Sequence, residues 1–327
     1  MRGKICATLG PSCCGVETLR AMFRAGMQGI RLNLSHGTLA QNMPWVEAYR
    51  EAARLENVEK AELIIDMQGP ELRIGTLDAA KYLPVGETVA LADCVSLPEI
   101  LLENLRVGDE LLVDDGALSF AVESISPLRC RVLRGGMLKS RKSIAVVGRE
   151  LPTEAVTAQD LENLRLAARC GVTGVMQPFV RGGEDLAALR RAMTDAGAGD
   201  LTIFAKIENR TGMEKLHEII AGSDVVVIAR GDLGNAMPLW ELPRAQARIA
   251  AVCREKGTPF MISTQMLHSM HASAVPTRAE VTDVYTAAKS GADYLLLTGE
   301  TAAGKYPVEA MEYFAKIAAN GWEDAEN

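Results

Sequence analysis

Short apolar runs alternate with amphipathic stretches along most of the chain. Eight such runs occur, and a segment with helical periodicity follows each of them, directly or after an insertion. The runs are Lys4–Leu9, Gly29–Ser35, Ala61–Met67, Gly174–Phe179, Thr202–Glu208, Asp224–Arg230, Pro259–Gln265 and Tyr294–Glu300. Continuous apolar strands are typical of a parallel sheet that is buried on both faces. Eight βα units predict an α/β fold of the TIM (β/α)8-barrel type, and the polar residues at nearly every strand end favour it over a doubly wound sheet.

One stretch, between Gly75 and about Gly148, breaks this rhythm. It contains β-rich runs such as VGDELLVDDGALSFAVESI (107–125), with Gly/Asp turn signals and no clear helical pattern. We therefore predict that residues 1–74 and 149–327 form the barrel. Residues 75–148 are predicted to form a small all-β domain inserted after the third strand.

Composition and charge exclude several classes of function. The chain has 327 residues and a net charge of −7, and the absence of a Lys/Arg-rich segment argues against a nucleic-acid partner. The seven cysteines are scattered, odd in number and without a CxxC pair, which favours reduced thiols over a disulfide framework. We recognise no signal peptide after Met1, and no apolar run reaches the roughly 18 residues of a membrane span. A cytoplasmic protein without a membrane partner is expected.

Polar side chains stand at the carboxyl ends of the predicted strands, where the βα loops of a TIM barrel form the active site. Lys206 and Glu208 are two apart on one strand and therefore share a face, and Asp232 follows the next strand. Two converging carboxylates suit a hard cation such as Mg²⁺, and a nearby lysine would stabilise negative charge on a bound oxygen. An ordinary ion pair at the barrel rim is the alternative interpretation.

The segment Gly231–Gly234 reads GDLG and follows a predicted strand. A tight glycine turn there would expose N–H groups that could hold a substrate carboxylate. A plain connection from strand to helix is equally compatible with these four residues.

Seven segments closely resemble the signature segments of the pyruvate kinase family, in the family's order. They are RLNLSHG (31–37), DMQGPELR (66–73), KIEN (206–209), ARGDLG (229–234), STQML (263–267), PTRAEVTDV (276–284) and LTGETAAGKYPVEA (297–310). The resemblance spans the barrel. It extends to the insert, where VDDGALSF (113–120) and GGMLKSRK (135–142) are similar to the family's B domain.

The resemblance implies a role for each matching residue. Glu208 and Asp232 would ligate Mg²⁺ or Mn²⁺, and the K⁺ site would consist of Asn33, Ser35, Asp66 and the carbonyl of Met67. Lys206, Thr264 and Arg31 would be catalytic, with Lys206 stabilising the transferring phosphoryl group and the enolate. Substrate contacts are implied for Gly231, Asp232, Thr264 and Arg73, and nucleotide contacts for His36, Arg73 and Lys142.

The chain also departs from the family's pattern. It ends at Asn327, so we expect the C-terminal regulatory domain and its allosteric control to be absent. The nucleotide side is altered at TLAQN (38–42), at KSRK (139–142) and at IAVVG (144–148). Pro178 and Gln68 stand where the family usually has serine and lysine.

The resemblance implies a kinase that converts phosphoenolpyruvate and ADP to pyruvate and ATP with Mg²⁺ and K⁺. The altered nucleotide side motivates an alternative, a paralogue that enolises, cleaves or decarboxylates a Mg²⁺-bound 2-oxo acid without kinase activity. A third hypothesis is that the protein is a non-catalytic sensor or assembly partner. A homodimer formed through the barrel is compatible with each.

Overall fold

The computed structural model describes residues 3–114, 116–149 and 151–326. The strands in chain order are β1 (Lys4–Leu9), β2 (Gly29–Asn33), β3 (Glu62–Asp66), β4 (Lys81–Leu83), β5 (Thr88–Val89), β6 (Glu110–Val113), β7 (Leu118–Ile125), β8 (Leu128–Arg134), β9 (Gly136–Leu138), β10 (Ile144–Val146), β11 (Gly174–Gln177), β12 (Thr202–Ile207), β13 (Val225–Ala229), β14 (Phe260–Ser263) and β15 (Tyr294–Leu296).

The helices are α1 (Val16–Arg24), α2 (Met43–Leu55), α3 (Leu91–Cys94), α4 (Glu99–Asn104), α5 (Ala158–Ala167), α6 (Gly183–Asp195), α7 (Arg210–Glu214), α8 (Leu216–Gly222), α9 (Arg230–Ala236), α10 (Leu242–Lys256), α11 (Arg278–Lys289), α12 (Gly299–Ala302) and α13 (Pro307–Glu326). Short 3₁₀ turns cover Leu34–His36, Leu239–Glu241 and His268–His271. No helix in the described ranges is both long and apolar enough to cross a bilayer.

Eight parallel strands close into a barrel in which neighbours follow the order of the chain, β1–β2–β3–β11–β12–β13–β14–β15 and back to β1. The predicted TIM barrel is confirmed, and each predicted run contains one of these strands. Most of the strands end before the predicted run does, because the last residues of the run already belong to the loop. The polar residues at those positions are thereby presented by the βα loops.

The barrel interior is filled by side chains that alternate along the strands with residues facing the helices. The inner cluster consists of Cys6, Ile64, Met176, Phe204, Val225, Val227, Ala229, Met261 and Leu296. At the amino ends of the strands, Lys4 pairs with Glu62 and lies over the ring of Tyr294, which meets Phe204 edge to face at 5.5 Å. This packed end serves stability, so the chemistry is expected at the opposite end.

The chain divides into two compact units, a barrel unit (Met1–Gly69 and Ala155–Asn327) and an insert unit (Pro70–Glu154). The insert unit begins at Pro70 rather than 75, because Ile74 N donates to Lys142 O and Arg73 bridges to Ser143. It contains a sheet in the order β10–β6–β7–β8–β5 and a second pair, β4–β9.

The prediction that the insert is all-β was wrong in one respect. The segments Leu91–Cys94 and Glu99–Asn104 form the short helices α3 and α4. Each spans at most six residues, too few for a helical period to emerge from the sequence. Their leucines, Leu91 and Leu101, are fully buried in the core of the insert unit.

Candidate active site

A buried ion-pair cluster lies where strands β2, β3 and β12 end. Asp66 accepts hydrogen bonds from Arg31 Nε at 2.8 Å and from Lys206 Nζ at 3.1 Å. The side chains of Asp66, Arg31 and Lys206 are 2%, 12% and 13% exposed. Burial alone would raise the pKa of Asp66, but Lys206 and Arg31 outweigh it and hold that pKa below its ordinary value. Asp66 is therefore ionised at neutral pH and orients two cations.

Lys206 stands between two carboxylates. Its Nζ lies 3.1 Å from Asp66 Oδ2 and 2.9 Å from Glu208 Oε1. Burial disfavours the charged ammonium, yet Asp66 and Glu208 outweigh this and raise the pKa of Lys206 above its ordinary value. Lys206 is therefore a fixed positive charge at the carboxyl end of β12.

The two carboxylate oxygens of Glu208 have different partners. Oε2 accepts a hydrogen bond from the backbone N–H of Phe179 at 2.8 Å. Oε1 is ion-paired with Lys206 but, among the described residues, receives no aligned hydrogen bond. Burial raises the pKa of Glu208 to about 7, with Asp232 and Asp66 adding to the rise and Lys206 opposing it. The cluster therefore favours neutralisation of this carboxyl by a proton or a cation.

These residues fit a divalent metal ion. Asp66 and Glu208 pair with Lys206, Asp232 acts electrostatically on both Lys206 and Glu208, and the buried Oε1 of Glu208 has the hard-oxygen character that Mg²⁺ prefers. Within the described ranges, no group of three or more His, Cys, Asp or Glu side chains is gathered closely enough to hold a metal by itself. Mg²⁺ commonly uses one or two carboxylates and completes its shell with water and substrate oxygens, so Glu208 and Asp232 could hold it in that way.

The GDLG segment is the first turn of a helix and not a glycine turn, which corrects that part of the prediction. Helix α9 begins at Arg230, directly after β13, and Ala229 is the last residue before it. The first N–H groups of a helix lack partners within it, so Gly231 and Asp232 still present backbone donors. A Cβ atom placed on Gly231 would lie 3.0 Å from Thr264 Cγ2, so Thr264 from the β14 loop packs directly on this turn.

The predicted cation-site residues lie at the last positions of β2 and β3 and just beyond them, with Ser35 in the short turn after β2 and Met67 directly after β3. Asn33 is paired with Asp66 in the strand register, and Met67 follows Asp66. Asn33 Oδ1 accepts a hydrogen bond from Ser35 N at 3.1 Å, which closes the short turn Leu34–His36. Oxygen donors from Asn33, Ser35, Asp66 and the Met67 carbonyl are thus carried by one pair of strand ends.

The predicted nucleotide residues are divided between the two units. His36 ends the 3₁₀ turn of the barrel unit, whereas Arg73 and Lys142 lie in the insert unit. Arg73 is hydrogen-bonded to Glu71 Oε2 at 2.6 Å and to the Arg141 carbonyl at 2.9 Å. Lys142 pairs with Asp114 at 2.7 Å. Both insert cations therefore already carry an acidic partner.

Two residues of the site region had been given no role from the sequence, although both stand at strand ends inside the recognised segments. Glu300 is buried and accepts hydrogen bonds from Leu267 N at 3.1 Å and Thr298 N at 2.8 Å. Arg230 donates to the backbone carbonyl of Thr264. Their burial and their backbone partners are tertiary features, which periodicity does not reveal.

A closed parallel barrel with buried lysine, arginine and carboxylates at the carboxyl ends of its strands is the arrangement typical of (β/α)8-barrel enzymes. Comparison with known proteins is more specific. Residues 1–311 match the family model of the pyruvate kinase barrel domain. The chain is 37% identical to a pyruvate kinase of Aeropyrum pernix, with 99% of this chain and 72% of the relative covered. It is 39% identical to a pyruvate kinase of Methylorubrum extorquens, with 99% and 69% covered.

A pyruvate kinase of Mycobacterium intracellulare is 36% identical, with 97% of this chain and 69% of the relative covered. The chain belongs to the pyruvate kinase family. It is accordingly a phosphotransferase with a TIM-barrel fold, as the resemblance predicted.

Proposed function

We propose that the protein transfers the phosphoryl group of phosphoenolpyruvate to ADP, which yields pyruvate and ATP. The bond between phosphorus and the enol oxygen breaks, a bond to an oxygen of the ADP β-phosphate forms, and the enolate takes a proton on its methylene carbon. The observation that carries the proposal is Lys206, fixed between Asp66 and Glu208 at the strand ends of a barrel of this family.

Glu208 and Asp232 are the proposed ligands of Mg²⁺ or Mn²⁺. Such an ion neutralises charge on phosphoryl and carboxylate oxygens and withdraws electrons from the enol oxygen. Support comes from the pKa of Glu208, which burial and the neighbouring carboxylates raise to about 7, because a cation would relieve the same repulsion.

Lys206 and Arg31 are proposed to stabilise negative charge on the transferring phosphoryl group, and Lys206 also that on the enolate. Phosphoryl transfer depends on positioning and electrostatic stabilisation more than on covalent help from the protein. Asp66 supports both cations, since it hydrogen-bonds Arg31 at 2.8 Å and Lys206 at 3.1 Å and is itself buried.

The substrate carboxylate is proposed to bind at the backbone N–H groups of Gly231 and Asp232. Thr264, which packs against Gly231, would then lie near the enolate carbon and assist delivery of the proton. Arg73 is a further candidate contact for phosphate. The K⁺ site is proposed at Asn33, Ser35, Asp66 and the Met67 carbonyl, because these strand ends present oxygen atoms beside a buried carboxylate.

ADP binding is proposed to use His36, Arg73 and Lys142, whose side chains can donate to phosphate oxygens. Contacts with the nucleotide would then have to replace part of the ion pairs that Glu71 makes with Arg73 and Asp114 makes with Lys142. We further propose a cytoplasmic enzyme of glycolysis, in keeping with seven cysteines that all carry free thiols. A homodimer through the barrel stays a proposal.

The test is pyruvate formation from phosphoenolpyruvate with Mg²⁺ and K⁺, with and without ADP. Turnover that requires ADP supports the kinase. Exchange of the pyruvate methyl protons in D₂O without any ADP-dependent turnover would instead support the non-kinase paralogue. Tight binding of a substrate analogue by a folded protein that does neither would support the sensor.

A further inference from the structure

The loop after β14 has a strained backbone beside the proposed substrate site. Thr264 has φ = 77° and Gln265 has φ = 53°, so two successive non-glycine residues adopt the left-handed conformation. For a β-branched residue such as Thr264 this conformation is an outlier, and it persists only where surrounding contacts impose it. Some neighbouring group must therefore hold this backbone.

The side chain of Arg230 makes those contacts. Its Nε and Nη2 donate to the Thr264 carbonyl at 3.1 and 2.8 Å, and Nη2 also reaches the Gln265 carbonyl at 3.2 Å. The same nitrogen lies 3.0 Å from Met266 Sδ. One planar fork thus engages three consecutive residues of the strained loop, which a single ammonium group cannot reproduce.

Helix α11 fixes the other side of the guanidinium. Arg230 Nη1 donates to Asp283 Oδ1 at 2.9 Å and lies 2.8 Å from Oδ2. The Arg230 side chain is only 11% exposed, whereas Asp283 is 36% exposed. Arg230 therefore spans the end of β13, the loop after β14 and helix α11.

The consequence concerns Thr264 and Gly231. Thr264 Cγ2 would come within 3.0 Å of a Cβ on Gly231, so a small movement of the loop changes the packing of Thr264 on the first turn of α9. Gly231 directly follows Arg230 in the first turn of α9. Arg230 therefore begins this turn and also holds the loop after β14, whose Thr264 packs on it.

We propose that Arg230 is a positioning residue, which holds the left-handed backbone at Thr264 and Gln265 so that the Thr264 side chain faces the substrate. Asp283 orients Arg230 for this task. The inference rests on the proposed function only in what Thr264 does to the substrate, because the positioning itself is a property of the loop.

Arg230→Lys tests the proposal, since it keeps the charge and removes the fork. The matched control is Arg190→Lys, because Arg190 also pairs with an aspartate, Asp224, and reaches a backbone carbonyl, that of Gly222 at 3.4 Å. Arg190 lies on α6, and Asp224 directly precedes β13 at the amino end of the barrel. Asp283→Asn is a milder second variant should Arg230→Lys fold poorly.

We expect Arg230→Lys to lower kcat and the ADP-independent methyl-proton exchange of pyruvate by about 100-fold each, with KM for ADP nearly unchanged. In a Thr264→Ala background the same substitution should change kcat by less than about threefold, because Arg230 acts through Thr264. Equal effects of Arg230→Lys in both backgrounds would overturn the proposal, since they would indicate a general structural role.

Amide hydrogen exchange of the peptide 260–270 supplies a readout that needs no activity. Faster exchange in Arg230→Lys and Asp283→Asn than in the wild type and Arg190→Lys is expected. Unchanged exchange would contradict the proposal even if the wild type were inactive. A wild type without ADP-dependent turnover would count against the proposed function alone.

Discussion

Lys206, near the carboxyl end of β12, places its Nζ 2.9 Å from Oε1 of Glu208, the candidate metal ligand two positions later. The same nitrogen lies 3.1 Å from Asp66 Oδ2 on β3. Both carboxylates are almost fully buried. Removal of the ammonium would leave buried Glu208 without its cationic partner and buried Asp66 with Arg31 alone, which is costly in a low-dielectric interior.

Lys206→Met should therefore destabilise the metal-free protein, with an expected loss of about 3 kcal/mol in unfolding free energy, because a broken buried pair leaves uncompensated charge. Lys316→Met is the matched control. Lys316 pairs with Glu312 at 3.7 Å on the surface, and its loss should cost less than about 1 kcal/mol. Urea denaturation measures both, and equal small losses would contradict the buried cluster.

The pKa of Glu208 predicts pH-dependent metal binding. Burial and nearby carboxylates raise this pKa from 4.5 to about 7, so below pH 7 the carboxyl is largely protonated. Since a metal ion requires the carboxylate, Mn²⁺ affinity should rise as pH increases from about 5.5 to 7 and level off above it, with proton release on binding. The raised pKa also stabilises the metal-free fold at low pH, and this contribution, full below the ordinary pKa of 4.5, is lost as pH rises through about 7.

Calorimetry in two buffers of different ionisation enthalpy measures the proton release. Glu208→Gln should bind Mn²⁺ weakly and release no proton from this site. An affinity for the wild type that does not change between pH 5.5 and 7 would argue against Glu208 as a ligand.

Gly231→Ala tests the contact between α9 and Thr264. The new Cβ would lie 3.0 Å from Thr264 Cγ2, so Thr264 must shift, and a decrease in kcat of roughly 10- to 100-fold is expected. Gly234→Ala in the same helix is the control. Its Cβ would meet Leu242 and Leu239 at ordinary distances of 3.5 and 3.6 Å, and alanine favours a helix by about 0.5–1 kcal/mol. Equal activity of the two variants would contradict the proposed role of this turn.

Lys142→Met tests the nucleotide half of the site. If Lys142 leaves Asp114 to bind ADP, its loss should raise KM for ADP by about tenfold and leave methyl-proton exchange of pyruvate unchanged. Lys139→Met, an exposed lysine three residues earlier, should change neither quantity. A changed exchange rate with an unchanged KM for ADP would refute the assignment.

Much of the barrel could be predicted from the sequence, because strands buried on both faces must be continuous apolar runs and the loops after them must be polar. The same logic placed Lys206 and Glu208 on one face, and the two side chains do meet at 2.9 Å. The local sequence pattern was sufficient to predict these features, because it directly reflects which positions are buried.

Other features depend on contacts that are distant in sequence. The insert unit includes Arg73 and Ile74 because they pair with Ser143 and Lys142, which the turn signals near Gly75 do not show. The helical start at Arg230 was not predicted, because glycines at 231 and 234 indicate a turn. The hydrogen bond from the Phe179 amide to Glu208 was likewise not predicted. Phe179 has a left-handed backbone with φ = 54°, which the sequence pattern does not indicate.

The cluster around Lys206 is proposed to support phosphoryl transfer to a nucleotide. The most direct measurement is the appearance of ATP from phosphoenolpyruvate and ADP with Mg²⁺ and K⁺, for the wild type and for Lys206→Met. We predict ATP formation by the wild type and a decrease of at least roughly 100-fold in the variant, because Lys206 stabilises charge in the transition state. Absence of ATP formation by the folded wild type would contradict the proposed kinase activity, and equal rates for the two proteins would contradict the role of Lys206.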